Sequence, residues 1–254
     1  MNPLNMKVVA VIPARYNSSR FPGKPLVSID GLPMVIRVAR QVEKALTREH
    51  TWIATDDERI AAVCRVYGFR YQMTGSHCKT GTDRLAEFAS LVDAGIYVNV
   101  QGDEPLVDPQ DILKIVQAKK EHYHKVINGM RTLLPHEEPG SPHIPKVVTA
   151  ADGTLLYMSR LPVPGIKDRA EGIPVFKKQV CIYAFNKAEL ALYAAYRMKP
   201  DCERFEDIEI LRFLDAGVRV HMVETAGHSM AVDTPEDVGQ VEAFLQAGQN
   251  HPGL

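Results

Sequence analysis

Short β-branched runs alternate with amphipathic helical periods along this 254-residue chain, and that alternation limits its fold more than any other feature. Lys7–Ile12 (KVVAVI) is continuously apolar after its lysine, the pattern of a strand covered on both faces. Pro33–Leu46 sets Met34, Val38, Val42 and Leu46 one helical turn apart, with proline in the first turn. Thr51–Thr55 reads as the next strand, and Thr55 followed by Glu58 has the spacing of a capping box that opens a helix to about Tyr67. A helix after Thr82, a strand over Ile96–Val100 and a helix from about Gln110 to Lys120 follow. This series predicts an α/β fold on a mainly parallel, doubly wound sheet, Rossmann-like in kind.

The middle third departs from the rhythm. Prolines crowd the stretch from Pro135 to Pro174, and its apolar runs are short, at Lys146–Thr149 and Leu155–Met158. Gln179–Phe185 is again a strong strand. The expectation is a β-rich excursion over about 125–200, a small lobe or dimer-forming element. Helices over Ala188–Arg197 and Phe205–Leu214, a strand at Val218–Val223 and a closing helix at Val238–Leu245 complete the pattern. With no internal repeat, one domain spanning 1–254 is expected.

Charge narrows the function classes. Lys and Arg number 30 against 31 Asp and Glu, a formal net charge of −1, which argues against a nucleic-acid or anionic-membrane binder. Cys64, Cys78, Cys181 and Cys202 show no C-x-x-C spacing, so neither a disulfide framework nor a zinc cluster is expected. No segment reads as a signal peptide, and none approaches the roughly 20 apolar residues of a membrane span. The reading is a soluble, reduced, cytoplasmic protein.

Ile12–Pro25 (IPARYNSSRFPGKP) follows the first strand directly, where open α/β sheets bind ligands. It carries Arg15, Arg20 and Lys24 before any acidic residue, with Gly23 allowing close backbone approach, and these features suit a polyphosphate. It is neither a P-loop nor a G-x-G-x-x-G fingerprint, which disfavours a nicotinamide-dependent oxidoreductase. Val98–Pro105 (VNVQGDEP) ends a strand in Asp103 and Glu104, hard oxygen donors of the kind that hold Mg²⁺ for a nucleotide. Asp233 precedes Thr234–Asp237, a capping box that accounts for its neighbours but not for Asp233 itself. Pairing Asp103 with Asp233 around a metal is the corresponding expectation.

In order, IPARYNSSRFPGKPL, ATDD, TGTDRLAE, VNVQGDEP, LYMSR and AVDTPEDV resemble the 3-deoxy-manno-octulosonate (Kdo) cytidylyltransferases, from about Lys7 to Leu245. The resemblance implies a nucleotide-diphospho-sugar transferase-like fold, usually dimeric, that couples CTP to Kdo with release of pyrophosphate. It implies that Arg15, Arg20 and Lys24 grip the CTP phosphates. Ala14 and the Thr80-Gly81-Thr82-Asp83-Arg84 segment would read cytosine, with Thr80 where the family usually has Ser. Asp103 and Asp233 would hold Mg²⁺. On the sugar side it implies Gln101, Arg160, Tyr183, Glu206 and Glu209, with Lys146 near Arg160. Arg15, Lys24, Asp103 and Asp233 are the catalytic set it suggests. A homodimer is the implied assembly, with the excursion on the sugar side.

Departures fall on the sugar half. The family's R-H-x-G-I-Y strand reads Lys178-Gln179-Val180-Cys181-Ile182-Tyr183, and Ile210 stands where a Gln would bond sugar. One reading is drift in a branch still using Kdo; the other is a related ulosonic acid, of amino-Kdo or nonulosonate type. A silent CTP-binding paralogue is a third reading, with the retained carboxylates against it. By spacing alone, Glu203, Glu206 and Glu209 form a solvated helical stripe.

Overall fold

The computed structural model describes residues 6–17, 21–168, 170, 172–227 and 230–250, with side chains to 247. Its centre is β1 (Val8–Ala14), which pairs in parallel with β4 (Thr51–Thr55) on one side and β6 (Ile96–Val100) on the other. A small hairpin of β2 (Ser28–Ile29) and β3 (Leu32–Pro33) leads into α1 (Met34–Leu46). Outside β4 lies β5 (Arg70–Met73), also parallel, reached through α2 (Glu58–Tyr67). From there α3 (Gly81–Leu91) carries the chain back to β6, and α4 (Pro109–Glu121) leads on to β7 (Val126–Thr132).

β10 (Lys177–Phe185) lies antiparallel between β6 and β7, and β11 (Val220–Glu224) closes the edge parallel to β7. Among the described strands from β11 across to β5, β10 is the one that runs against the rest. β8 (Lys146–Thr149) and β9 (Leu155–Ser159) form a hairpin branching from β10, so the β-rich excursion extends the main sheet.

Alternation along β1 divides the core into two layers. Ala10, Ile12 and Ala14 face the cluster containing Val35 and Val38 of α1, Ile60 of α2 and Ile112 and Ile115 of α4. Val9 and Val11 face the opposite cluster, with Leu85 and Phe88 of α3, Leu190 of α5 (Lys187–Ala195) and Phe213 of α7 (Leu211–Asp215). Lys119 ties the layers' far ends: its buried Nζ donates to the Tyr123 and Lys125 carbonyls and to both Glu189 oxygens, at 2.7–2.8 Å. Burial pulls the Lys119 ammonium down to about 8, against the attraction of Glu189.

Several expectations are corrected. α2 is capped by Asp57, whose carboxylate accepts from the Arg59 amide at 2.9 Å, because Thr55 remains buried as the last residue of β4. The expected helix over Phe205–Leu214 is two short helices, α6 (Asp201–Glu206) and α7, broken where Asp207 adopts φ +49°. That break disperses the glutamate stripe. Glu203 is fully buried against Arg212, at 2.5 and 2.7 Å, so it is not solvated. β7 and β5 add to the expected strands: Asn128-Gly129 in the middle of β7 reads locally as a turn, and β5 is half polar. α8 (Pro235–Asn250) closes the chain, longer than the expected Val238–Leu245.

Candidate active site

The chain leaves β1 toward β4 and β5, then returns to β6 on β1's other side. The exits of β1 and β6 therefore splay apart, and open α/β sheets bind ligands at such a switch point. A cavity of about 1240 Å³ opens there. Ala14, Arg15, Lys24, Thr80, Gly81, Arg84, Gln101, Asp103, Arg160, Gln179, Tyr183, Glu209 and Asp233 all line it. Arg20 lies outside the described residues.

Lys24 is placed by a turn that only glycine enters easily. Gly23 has φ +74°, its amide donates to the Tyr16 carbonyl at 2.9 Å, and an added Cβ would meet the Tyr16 ring at 3.3 Å. From the following turn, Lys24 Nζ donates to Asp103 Oδ2 at 2.8 Å and Asp233 Oδ1 at 3.1 Å. Burial alone would lower this ammonium, but the two carboxylates hold it above the ordinary lysine value. The Val232 amide donates to the Asp103 carbonyl at 2.9 Å, joining the two acidic segments. Asp237 accepts from the Asp233 and Thr234 amides, each at 2.8 Å, and from the Thr234 hydroxyl at 3.1 Å. The expected cap thus also fixes the backbone of Asp233.

The N-terminus of α3 forms another wall. Thr80 and Asp83 make a reciprocal capping box, and Glu209 accepts from the Gly81 and Thr82 amides at 3.2 and 2.8 Å. Burial raises the Glu209 carboxyl despite these bonds. The Gln101 amide lies close over Gly81, where an added Cβ would sit 2.9 Å from Nε2. Arg84 is buried at the cavity wall, and its guanidinium donates to Thr74 Oγ1 and, at 3.1 Å, to Asp56 Oδ2.

The opposite wall rests on a bulge. The register between β10 and β7 shifts between Val180 and Tyr183, and the carbonyls of Val180 and Ile182 accept from the buried Asn128 amide at 2.8 and 2.9 Å. Gln179 Nε2 donates to Asn128 Oδ1 at 3.0 Å, so the residue flagged as a departure secures this strand. Arg160 donates to the carbonyls of Glu206, Pro142 and Asp207. Lys146, fully buried, donates to the Ser141 and Arg160 carbonyls.

Two expected sugar-side residues do not line the cavity. Ile210 is only 1% exposed and packs in the core with Tyr193 and Phe213, because α7 starts there with its apolar face inward. Glu206 accepts from Ser159 Oγ and the Arg160 amide, both at 2.7 Å, and supports the end of β9 from behind. Conversely, Lys178 and Arg131, paired across β10 and β7, line the cavity with Lys79 and were not foreseen. Only strand register, invisible in one-dimensional spacing, brings Lys178 and Arg131 together.

The cavity at the ends of the parallel strands is thus rich in cations, and two carboxylates in it share one of them, Lys24. Residues 9–225 match the family model described as Cytidylyltransferase. The chain belongs to the 3-deoxy-manno-octulosonate cytidylyltransferase family, a family of enzymes. It is 41% identical to the member from Syntrophotalea carbinolica, over 95% of this chain and 99% of that one. It is 40% identical to the member from Geobacter metallireducens, over 96% and 100%. The solved structure of CMP:2-keto-3-deoxy-manno-octonic acid synthetase complexed with CTP superposes with TM-score 0.88 at 35% identity, covering 95% of this chain and 99% of that chain. A glucose-1-phosphate thymidylyltransferase from Bacillus anthracis shares the fold alone, at TM-score 0.66 and 14% identity. The nucleotide-diphospho-sugar transferase-like fold expected from the motifs is the fold found.

Proposed function

We propose that the protein couples CTP to Kdo, giving CMP-Kdo and pyrophosphate, and that the cavity at the ends of β1 and β6 is where it does so. The observation that carries this reading is the convergence of Asp103 and Asp233 on one cation, Lys24 Nζ, beside Arg15 and the N-terminus of α3. Two carboxylates already holding an ammonium are a donor set that suits a hard cation such as Mg²⁺, which when bound would polarise the α-phosphate and acidify the attacking hydroxyl. Asp103 and Asp233 would be its ligands.

The chain's own groups do the rest. Arg15 and Lys24 offset charge on the triphosphate as it builds on the departing pyrophosphate. Thr80 and Gly81 present an ordered edge to the base, held by Glu209. Gln101, Arg160, Gln179 and Tyr183 surround the place left for the sugar acid, and Arg131 supplies positive charge for its carboxylate beside Lys178, whose ammonium pairs with Glu137. The anomeric hydroxyl oxygen bonds to the α-phosphorus in line as the α–β bridging bond breaks. Positioning and electrostatics supply most of the rate in this scheme.

A second reading, the same reaction on another ulosonic acid, rests on Gln179 alone, since Ile210 lies in the core. The test is pyrophosphate release from CTP with a panel of sugar acids. Strong preference for Kdo supports the first reading, preference for another ulosonic acid the second, and CTP binding without turnover on any acid would overturn both.

A homodimer in the cytoplasm is part of the proposal. Leu161, Ile173 and Val175, exposed after β9, offer an apolar surface for a second copy. No helix among the described residues is long and apolar enough to cross a membrane, and all four cysteines are free. CMP-Kdo would serve lipopolysaccharide or capsule assembly.

A further inference from the structure

We propose that His77, Cys78 and Glu87 bind one thiophilic divalent cation, with Zn²⁺ as the matching ion, beside the loop that leads into α3. Their ligand atoms lie within 4.8 Å of one another. Spacing carries no zinc signal here because the donors are two loop neighbours and one residue from within α3, not a C-x-x-C pair.

Glu87 is the hub. Its Oε2 accepts from Cys78 Sγ at 3.0 Å and lies 3.5 Å from His77 Nε2, while Oε1 accepts from the Gly75 amide at 2.9 Å. Gly75 makes the arrangement possible: an added Cβ would sit 2.2 Å from His77 Nδ1. The imidazole therefore lies against that backbone through Nδ1, leaving Nε2 toward Glu87. Burial, reinforced by the neighbouring Glu87, holds the Cys78 thiol up at about 12.

As the sulfur–cation bond forms, the thiol proton passes to solvent and the sulfur binds as thiolate. A thiolate, a carboxylate and a neutral imidazole carry two negative charges, which balance Zn²⁺, and water can complete a tetrahedral set. Mg²⁺ disfavours sulfur and nitrogen donors, so this site and the Asp103–Asp233 pair select different ions. Cys78 also borders the large cavity, and Lys79 and Thr80 follow it, so a cation here would clamp the approach to the α3 cap.

The test is titration of the full-length, reduced, chelator-treated protein with Cd²⁺ and then Zn²⁺. One equivalent of Cd²⁺ is expected to give a thiolate charge-transfer band that Zn²⁺ removes and excess Mg²⁺ does not. Cys78→Ser should abolish the band and Cys202→Ser should leave it. His77, whose side chain is 80% exposed, can be replaced without disturbing the core, so His77→Ala should weaken Zn²⁺ binding roughly tenfold or more with the metal-free melting temperature unchanged. Absence of the band in the wild type, its persistence in Cys78→Ser, or equal Zn²⁺ affinity in His77→Ala would overturn the assignment.

Discussion

The Lys24 ammonium lies 2.8 Å from the Asp103 carboxylate, and its second partner is the other acid proposed to hold metal. A divalent cation arriving between these acids meets an ammonium already there and must turn it aside. Lys24→Met should therefore do two things. Mg²⁺ alone should raise the melting temperature of the variant more than that of the wild type. Turnover should fall about 10²–10³-fold, read as pyrophosphate release at saturating CTP. Equal Mg²⁺ shifts in both proteins would show that Lys24 and the metal do not compete.

Asp103→Asn keeps the shape of the side chain and removes its charge. Mg²⁺-dependent turnover should be abolished while circular dichroism and the unfolding transition stay close to the wild type. Pyrophosphate release at the wild-type rate would reject Asp103 as a metal ligand.

Glu209 joins the turn before α7 to the start of α3 through the Gly81 and Thr82 amides. Glu209→Ala leaves these amides without their anionic partner and should cost about 1–3 kcal/mol of stability. It should also raise the KM for CTP more than it lowers kcat, because the affected wall is the one proposed to position the base. Chemical denaturation and steady-state kinetics read the two effects separately.

Lys119→Ala removes one half of a buried ion pair and strands Glu189. The expected cost is about 3–5 kcal/mol in urea unfolding, with the kinetic constants of the folded fraction unchanged. An equal loss from Lys119→Met would place the cost in the stranded carboxylate; a smaller one would place part of it in lost packing.

Asp237 gives a pH signature. Burial alone would raise its carboxyl, but the Asp233 and Thr234 amides and the Thr234 hydroxyl hold it below the usual aspartate value. A depressed acid adds stability that is fully present above its unfolded value, near 3.9, and is lost as pH falls through the lower folded value. The melting-temperature gap between wild type and Asp237→Asn should therefore be constant above pH ~5 and close as pH falls below ~4. A gap independent of pH would separate this cap from ionisation.

The parallel half of the fold was readable because each strand there is a short apolar run and each helix announces its period or its cap. Lys7–Ile12, Ile96–Val100 and Pro33–Leu46 all lie inside observed elements or within a residue of them. Legibility failed where tertiary contacts overrode local pattern. Asn128 reads as a turn former, yet it sits in the middle of β7 because the β10 bulge needs its amide. Glu203 reads as solvated until Arg212 folds onto it. Within the site, Arg15, Lys24 and Asp103 stood out because they cluster at strand ends. Ile210 differs from expectation because a motif position does not fix a side-chain direction, and α7 turns that side chain inward.

The reversal of strand direction at β10 acts as a seam through the cavity. On one side the wall hangs from β1, β6 and the start of α3; on the other it hangs from β10, β7 and their bulge. The bulge sets Gln179, Cys181 and Tyr183, while Asp103 and Thr80 have further contacts of their own, to Lys24 and within the α3 cap. If the proposed division of roles holds, the acceptor is met by the strand that breaks the parallel order and the nucleotide by the strands that keep it, so substitutions in β10 are where acceptor preference would change first.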